Sequence, residues 1–184
     1  MALTRCVTSE VIIGKSTNVC LKRCFSCSSS GGVTTLPADR QYQELSQELN
    51  CMLWTKVMLD MVYDFVAKED AVRGAKPSFV IPQLRFVDAA LVVAMCKGRE
   101  ELYMMEELIS TEVGWPFRKY ICNNSAQPLL TKSTSAHASE KNNYAQFLSF
   151  AQHIQYIGTG NLAFTSDFQG AGQSLTDPQI ITAP

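Results

Sequence analysis

The stretch Ala89-Ala90-Leu91-Val92-Val93-Ala94-Met95 limits most strongly what this chain can fold into. Within about Leu84 to Cys96 the sequence is apolar nearly all round, so a helix formed from it belongs in the middle of a bundle. The run is far shorter than the ~20 apolar residues a membrane-spanning helix needs, and no other run in the chain approaches that length. Gly98 interrupts the pattern. Glu100 to Val113 resumes it, with Leu102, Met105, Leu108 and Ile109 on one stripe, and Trp115-Pro116 ends it.

Helical periodicity continues on both sides. Asp39 follows Pro37 and is placed to cap a helix starting at Arg40, its carboxylate accepting an orphan backbone N–H. Leu45, Leu49, Met52 and Leu53 recur at helical spacing, and Val57, Leu59, Met61, Val62, Phe65 and Val66 extend the pattern. This predicts one long helix or two in tandem, ending near Gly74 and Pro77. Phe79-Val80-Ile81-Pro82 reads as extended, because Pro82 pushes the residue before it out of the helical region. A last helix carries Tyr144, Phe147, Leu148, Ala151 and Ile154, with Gly158 as its C-terminal glycine. Residues 123–140 read as a long polar loop, and residues 158–184, with four Gly and no Lys or Arg, as a surface-exposed tail. The expected architecture is all-α: a basic flexible arm over 1–38, a helical bundle core over 39–157, and the tail over 158–184.

Charge and composition set bounds on function. The chain has 184 residues, 46% of them hydrophobic, and a net charge of −1, which argues against a histone-like basic coat. Its first 38 residues carry +3 and are rich in Ser and Cys, which suits a flexible basic arm and also resembles an organelle transit peptide. Cys20, Cys24 and Cys27 lack a fourth ligand at zinc spacing, since His137 and His153 lie far along the chain, so free thiols are expected and no metal site. Asn123 opens an N-x-S sequence that matters only in a secreted chain. No Gly-rich phosphate loop, Ser-His-Asp arrangement or metal-ligating His pair can be made out, and an enzyme is not expected.

Two segments are more specific. One is Phe79-Val80-Ile81-Pro82-Gln83-Leu84-Arg85-Phe86, followed by AALVVAM and KGREELYMMEELIST; the other is Ala138-Ser139-Glu140-Lys141-Asn142-Asn143-Tyr144, leading into FLSFAQHIQYIGTGN. Over residues 79–184 their order resembles the coat proteins of rod-shaped plant RNA viruses, with AALVVAM to ELIST similar to benyvirus coats and the GTGN end to tobamovirus coats. The resemblance implies a four-helix bundle with an irregular N-terminal arm and C-terminal tail. It implies a structural capsid protein, not an enzyme, that self-assembles into a helical rod around single-stranded viral RNA without sequence preference. Its place would be the virion and the host cytoplasm, with no membrane partner.

The same resemblance implies a set of site residues. Lys97, Gly98 and Arg99 match the place where the family's RNA-contacting arginines follow the central helix; arginine neutralises phosphate, and Gly98 would allow close backbone approach. Arg85 and Arg118 are further RNA candidates, with an ion pair to Asp88, three residues on, as the structural alternative for Arg85. Asn142 and Asn143 stand where tobamovirus coats carry paired aspartates, and their amides could bond ribose hydroxyls or bases. Asp88, Glu100, Glu101, Glu106 and Glu107, with Glu112, are either a solvated helix face or inter-subunit carboxylates able to take Ca²⁺; no other cofactor is implied. Two alternatives stand beside the capsid: an organelle-imported helical binding protein losing about residues 1–35, and an adaptor using the Met-rich stretch from Met104 as a partner groove.

Overall fold

A computed structural model describes residues 2–13, 16–29, 31–73, 80–111, 116–132 and 136–183, with the backbone alone for residues 2–13, 16, 17, 73 and 136. Glu112, the expected helix end at Gly74 and Pro77, Phe79 of the extended segment and Trp115 of the expected stop lie outside the described residues. The elements in order are β1 (Ala2–Ile13), β2 (Ser16–Cys27), β3 (Val33–Thr35), α1 (Ala38–Arg73), β4 (Arg85–Phe86), β5 (Ala89–Cys96) and β6 (Arg99–Glu107). They continue as β7 (Arg118–Lys119), α2 (Ala136–Gly158), β8 (Ala163–Ser166), β9 (Gln169–Ala171), β10 (Ser174–Thr176) and β11 (Gln179–Thr182). Contacts divide the chain into two compact units, residues 1–50 with 87–108, and residues 51–86 with 109–184.

The chain is a mixture of strands and helices, so the expectation of an all-α four-helix bundle with irregular arm and tail is wrong. The first unit is built on a sheet of order β1-β2-β6-β5, with β3 on β2, every neighbour antiparallel. The segment taken as a flexible arm forms the long β1–β2 hairpin, paired from Ala2↔Ser26 to Ile13↔Ser16. AALVVAM, expected as a central helix, is β5, and REELYMMEE is β6, in register from Ala89↔Glu106 to Cys96↔Arg99. The cause is local: Lys97 (φ 50°) and Gly98 (φ 74°) both adopt left-handed backbone, forming the two-residue turn that joins twisted antiparallel strands. What reads as an interrupted helix is a hairpin.

The free-thiol expectation fails at Cys20, which is disulfide-bonded, while Cys24, Cys27, Cys96 and Cys122 are free. Burial and the charges of Glu48 and Glu44 push the Cys24 thiol above its ordinary range.

Helices α1, whose residues are divided between the two units at Asn50/Cys51, and α2, in the second, carry the apolar side chains that recur at helical spacing, although α2 begins at Ala136, inside the expected polar loop. Met52, Met58, Leu59 and Val62 of α1 are buried, as are Tyr144, Phe147, Leu148, Ala151 and Ile154 of α2. The helices pack closely: a Cβ on Gly158 would sit 2.8 Å from the Met61 sulfur. Tyr63 stacks on Phe147 (ring centroids 5.7 Å apart), and its hydroxyl donates to the Pro82 carbonyl at 2.9 Å and accepts Leu84 N–H at 2.7 Å. That contact holds the segment leading into β4 against α1.

The stretch expected as a tail is structured. Four of its segments are strands, in a sheet β4-β10-β9-β7 and a pair β11-β8, and Phe168 and Leu175 are fully buried. Gln152 and Gln155 of α2 grip β8, donating to the Thr165 carbonyl at 2.8 Å and accepting Thr165 N–H at 2.8 Å respectively. In the β9–β10 hairpin a Cβ on Gly170 would lie 1.9 Å from the Ser174 carbonyl oxygen, so only glycine fits. Gly170→Ala is therefore expected to destabilise the chain by about 3 kcal/mol or more, read as a fall in melting temperature; an unchanged melt would show that the strands part without penalty.

Two buried phenols predict alkaline behaviour. Tyr120 and Tyr144 are pushed up to about 12, Tyr120 by burial and Tyr144 by burial and then its 3.0 Å hydrogen bond to Glu140. In the unfolded chain they lose their protons near the ordinary value of 10.0. Their contribution to stability is thus complete below pH 10 and is lost as pH climbs toward 12. Phenolate absorbance followed with circular dichroism should show the late tyrosines ionising together with unfolding; all tyrosines titrating in a folded chain would contradict this.

Candidate active site

Among the described residues, each unit contains a charged cluster that the expected fold does not account for. In the first, β2 is an interior strand, and its alternation puts Cys20, Lys22 and Cys24 on one buried face. Lys22 is 7% exposed, and its ammonium donates to Glu106 at 2.7 Å and to Glu48 at 3.3 Å. Glu106, on β6 opposite Cys20, is itself 3% exposed, and Glu48 comes from α1. A lysine is almost never buried unless paired, and a buried charge cluster contributes little net stability, which makes this cluster a candidate site. An ammonium group is a compact cation with three N–H donors, suited to phosphate oxygens.

The second cluster surrounds the β9–β10 hairpin. Asp167, just before β9, and Asp177, just after β10, have φ of 58° and 48°, in the left-handed region. The other non-glycine residues of this kind are Lys97, in a hairpin turn, and Asn161, just beyond α2, among the described residues. Left-handed backbone costs an ordinary residue roughly 1 kcal/mol or more and collects at functional sites, and Asp tolerates it best together with Asn. Asp167 is 8% exposed and ion-paired with Lys119 of β7. Gln169 donates to Asp177 Oδ2 at 3.3 Å, across the pairing that sets Gln169 opposite Thr176. The main chain here is pinned: the Phe168 carbonyl accepts Tyr120 N–H at 2.7 Å, and Ser166 donates to the Cys122 carbonyl at 3.0 Å. Two carboxylates and an amide therefore flank or lie on one hairpin, Asp167 paired with Lys119 and Asp177 with Gln169, and oxygens of these types are the donors a hard divalent cation takes.

The residues expected to bind RNA are dispersed. Lys97, Gly98 and Arg99 are exposed at the β5–β6 turn, and Arg85 is an exposed residue of β4 whose N–H donates to the Gln173 carbonyl at 3.0 Å. Neither Arg85 nor Asp88 is helical, so they do not share the helical face on which their ion pair was expected. Arg118 lies over the Tyr120 ring and donates to Thr131 Oγ1 at 2.8 Å and the Leu129 carbonyl at 2.6 Å. On α2, the Asn142 amide brackets the Thr131 main chain (2.7 and 3.0 Å), and Asn143 donates to the Val80 carbonyl at 2.8 Å.

Most of the carboxylates have partners within the chain. Glu101 accepts from Arg23 at 2.8 Å and from the Tyr103 hydroxyl. The Tyr103 bond, more than Arg23, holds the Glu101 carboxyl below its usual range, and the same bond pushes Tyr103 up to about 12. Glu106 pairs with Lys22, and Glu107 exchanges main-chain and side-chain contacts with Asp88; Glu100 is exposed.

Lys22, Lys119, Asp167, Gln169 and Asp177 are missing from the expected set. A signal existed for most of them: Lys22 interrupts the apolar alternation of Val19-Cys20-Leu21-Lys22-Arg23-Cys24, and Ser-Asp-Phe-Gln-Gly precedes Leu-Thr-Asp-Pro-Gln at hairpin spacing.

The backbone places the chain in a known fold class, that of alpha-kinase domains. It superposes on the alpha-kinase domain of myosin heavy chain kinase A in complex with AMP (TM-score 0.51, 18% identity, 90% of this chain and 52% of that one). It superposes equally on the C-terminally truncated alpha-kinase domain of myosin heavy chain kinase (0.53, 18%, 90% and 51%) and on the AMP-PNP complex of the kinase A domain (0.52, 19%, 90% and 51%). The chain thus spans about half the length of these solved domains. No curated protein matches it. The alpha-kinase family model matches residues 10–184, and the chain belongs to the alpha-kinase family.

That membership overturns the coat-protein resemblance and what hung on it. The capsid role, the single-stranded viral RNA, the helical self-assembly, the virion and host-cytoplasm placement and the expectation of no enzyme all fall, as does the imported binding protein with a transit peptide. The physical reason is that AALVVAM and REELYMMEE are strands joined by a tight turn in this chain, where the coats would need helices; the second matched string is helical, as α2, and a single amphipathic helix occurs in many folds. No helix among the described residues is long and apolar enough to cross a membrane.

Proposed function

We propose that this chain transfers the terminal phosphoryl group of ATP to a hydroxyl group of a protein substrate. The observation that carries the reading is the β9–β10 hairpin with Asp167, Gln169 and Asp177 on or flanking it, in a chain of a kinase family. The solved relatives that hold AMP and AMP-PNP are consistent with a nucleotide as the donor.

In this reading Lys22 anchors phosphate oxygens and offsets their charge, with Glu48 and Glu106 holding the ammonium in place. Asp167, Asp177 and the Gln169 carbonyl are the donors that would hold a divalent cation, which would neutralise charge on the phosphates when bound. Asp177 takes the proton of the attacking hydroxyl as its oxygen bonds to the γ-phosphorus and the bond to the ADP oxygen breaks. Lys119, ion-paired with Asp167, orients its carboxylate.

The test is transfer of γ-labelled phosphate from ATP with Mg²⁺ to a generic protein acceptor, alongside equilibrium binding of ATP. Transfer that disappears in Asp177→Asn is the expected result. A chain that neither binds ATP nor labels any acceptor overturns the reading.

A further inference from the structure

The side chain of Gln41, in the first turn of α1, is 2% exposed and makes a contact of a kind rarely spent on mere packing. Its amide brackets the main chain of Cys24: Cys24 N–H donates to Oε1 at 3.0 Å, and Nε2 donates back to the Cys24 carbonyl at 2.8 Å. The helix thereby supplies β2 with the two hydrogen bonds a neighbouring strand residue would give. Lys22 lies two residues back along that strand, about 7 Å away. Glu48 lies two helical turns beyond Gln41, about 10 Å along the axis and on the same face. One helix therefore touches one strand through a neutral clamp and an ion pair, with Leu45, fully buried, between them.

Glu106 and Glu48, which both meet Lys22, are held differently. Glu106, at 2.7 Å, belongs to β6 and is placed by the ladder that sets it opposite Cys20. Glu48, at 3.3 Å, depends on where α1 sits and how it is rotated. Two contacts fix a helix on a sheet in both rotation and register; with one removed, the other becomes a pivot. Raised by Glu48 and Glu44 after burial, the Cys24 thiol agrees with those carboxylates facing the strand.

We propose that Gln41 is a positioning residue: by clamping α1 to Cys24 it holds Glu48 within reach of Lys22, and so sets the orientation of the lysine that anchors phosphate. The catalytic half of this rests on the phosphoryl-transfer reading; the geometric half does not.

The test uses the whole chain as wild type, Gln41→Met, Glu48→Gln and the double variant. Gln41→Met keeps the length of the side chain and removes both hydrogen bonds. If it does not fold, Gln41→Asn, which withdraws the amide by one methylene, takes its place. Modification of Lys22 by an amine-reactive electrophile is followed by peptide mass spectrometry without nucleotide, with Lys119 as internal reference. Glu48 covers part of the Lys22 ammonium at 3.3 Å, so losing that contact opens the nitrogen to the reagent, and labelling of Lys22 should rise about fivefold in either single variant.

Because both variants act through one contact, the double variant should rise no further. The kcat/KM for ATP should fall by a similar factor in each, again without multiplying. Unchanged Lys22 labelling in Gln41→Met overturns the proposal, as do effects that multiply in the double variant. So does shifted labelling with unaltered kcat/KM. A wild-type chain with no transfer refutes the kinase reading alone, since the labelling still decides whether Gln41 positions Glu48.

Discussion

Asp177→Asn is expected to cut phosphoryl transfer by about a thousandfold or more while leaving the melting temperature nearly unchanged. The substitution isolates charge from shape. Asp177 sits at φ 48°, a conformation that Asn adopts as readily as Asp, so the backbone after β10 has no reason to move. An Asn oxygen can still accept from Gln169, which lies 3.3 Å from Asp177 Oδ2. What is lost is the negative charge, and with it the proposed proton acceptor and cation ligand. Transfer assays paired with thermal melts decide the matter. Full activity in the variant would remove Asp177 from the site, and a large drop in melting temperature would assign it a structural role instead.

Lys22→Met should have a comparable effect of a different kind. Removing one partner of a buried charge pair leaves Glu106, at 3% exposure, without the ammonium it meets at 2.7 Å. Such losses destabilise by about 3–5 kcal/mol. In a chain of this size that is roughly a 10 °C fall in melting temperature. Adding Glu106→Gln to the variant takes the buried charge away and should restore most of the stability. It should restore no phosphoryl transfer, because the phosphate anchor is still missing. Stability recovering without activity separates the two roles of Lys22; a single variant as stable as wild type would show that the cluster does not hold the first unit together.

The two helices were legible because an amphipathic helix declares itself locally. Leu45 and Met52 on α1, and Phe147, Leu148 and Ala151 on α2, recur at spacings that no other element explains, and all five are fully buried. The hairpin of β5 and β6 was not legible in the same way. A short apolar run such as Leu91-Val92-Val93 has no period, and it suits a buried helix or a strand equally well until its partner is known. The partner is β6, and the deciding residues are Lys97 and Gly98, whose left-handed backbone turns the chain back on itself. The same blindness covered the last 27 residues, where glycines and small polar residues that suggest a loose tail are hairpin turns and close strand contacts.

The site was less legible than the fold, because its residues are distant in sequence. Lys22 was assigned to an arm, and Asp167, Gln169 and Asp177 to a tail. The candidates drawn from the coat-protein resemblance, Lys97, Arg99 and Arg118 among them, are turn residues or structural donors. Charge type and count are properties of the chain; desolvation and pairing are properties of its neighbours.

By itself, the sequence determined the two amphipathic helices and enough apolar residues for a core to bury them. Only the tertiary structure decided that Lys22 meets Glu48 and Glu106, that Gln169 meets Asp177, and that Lys119 meets Asp167. Periodicity acts over a few residues along the chain and survives in one dimension. The field at a carboxylate or an ammonium is set by groups that are 26 and 84 residues away from Lys22, and only folding brings them within 3.3 Å and 2.7 Å.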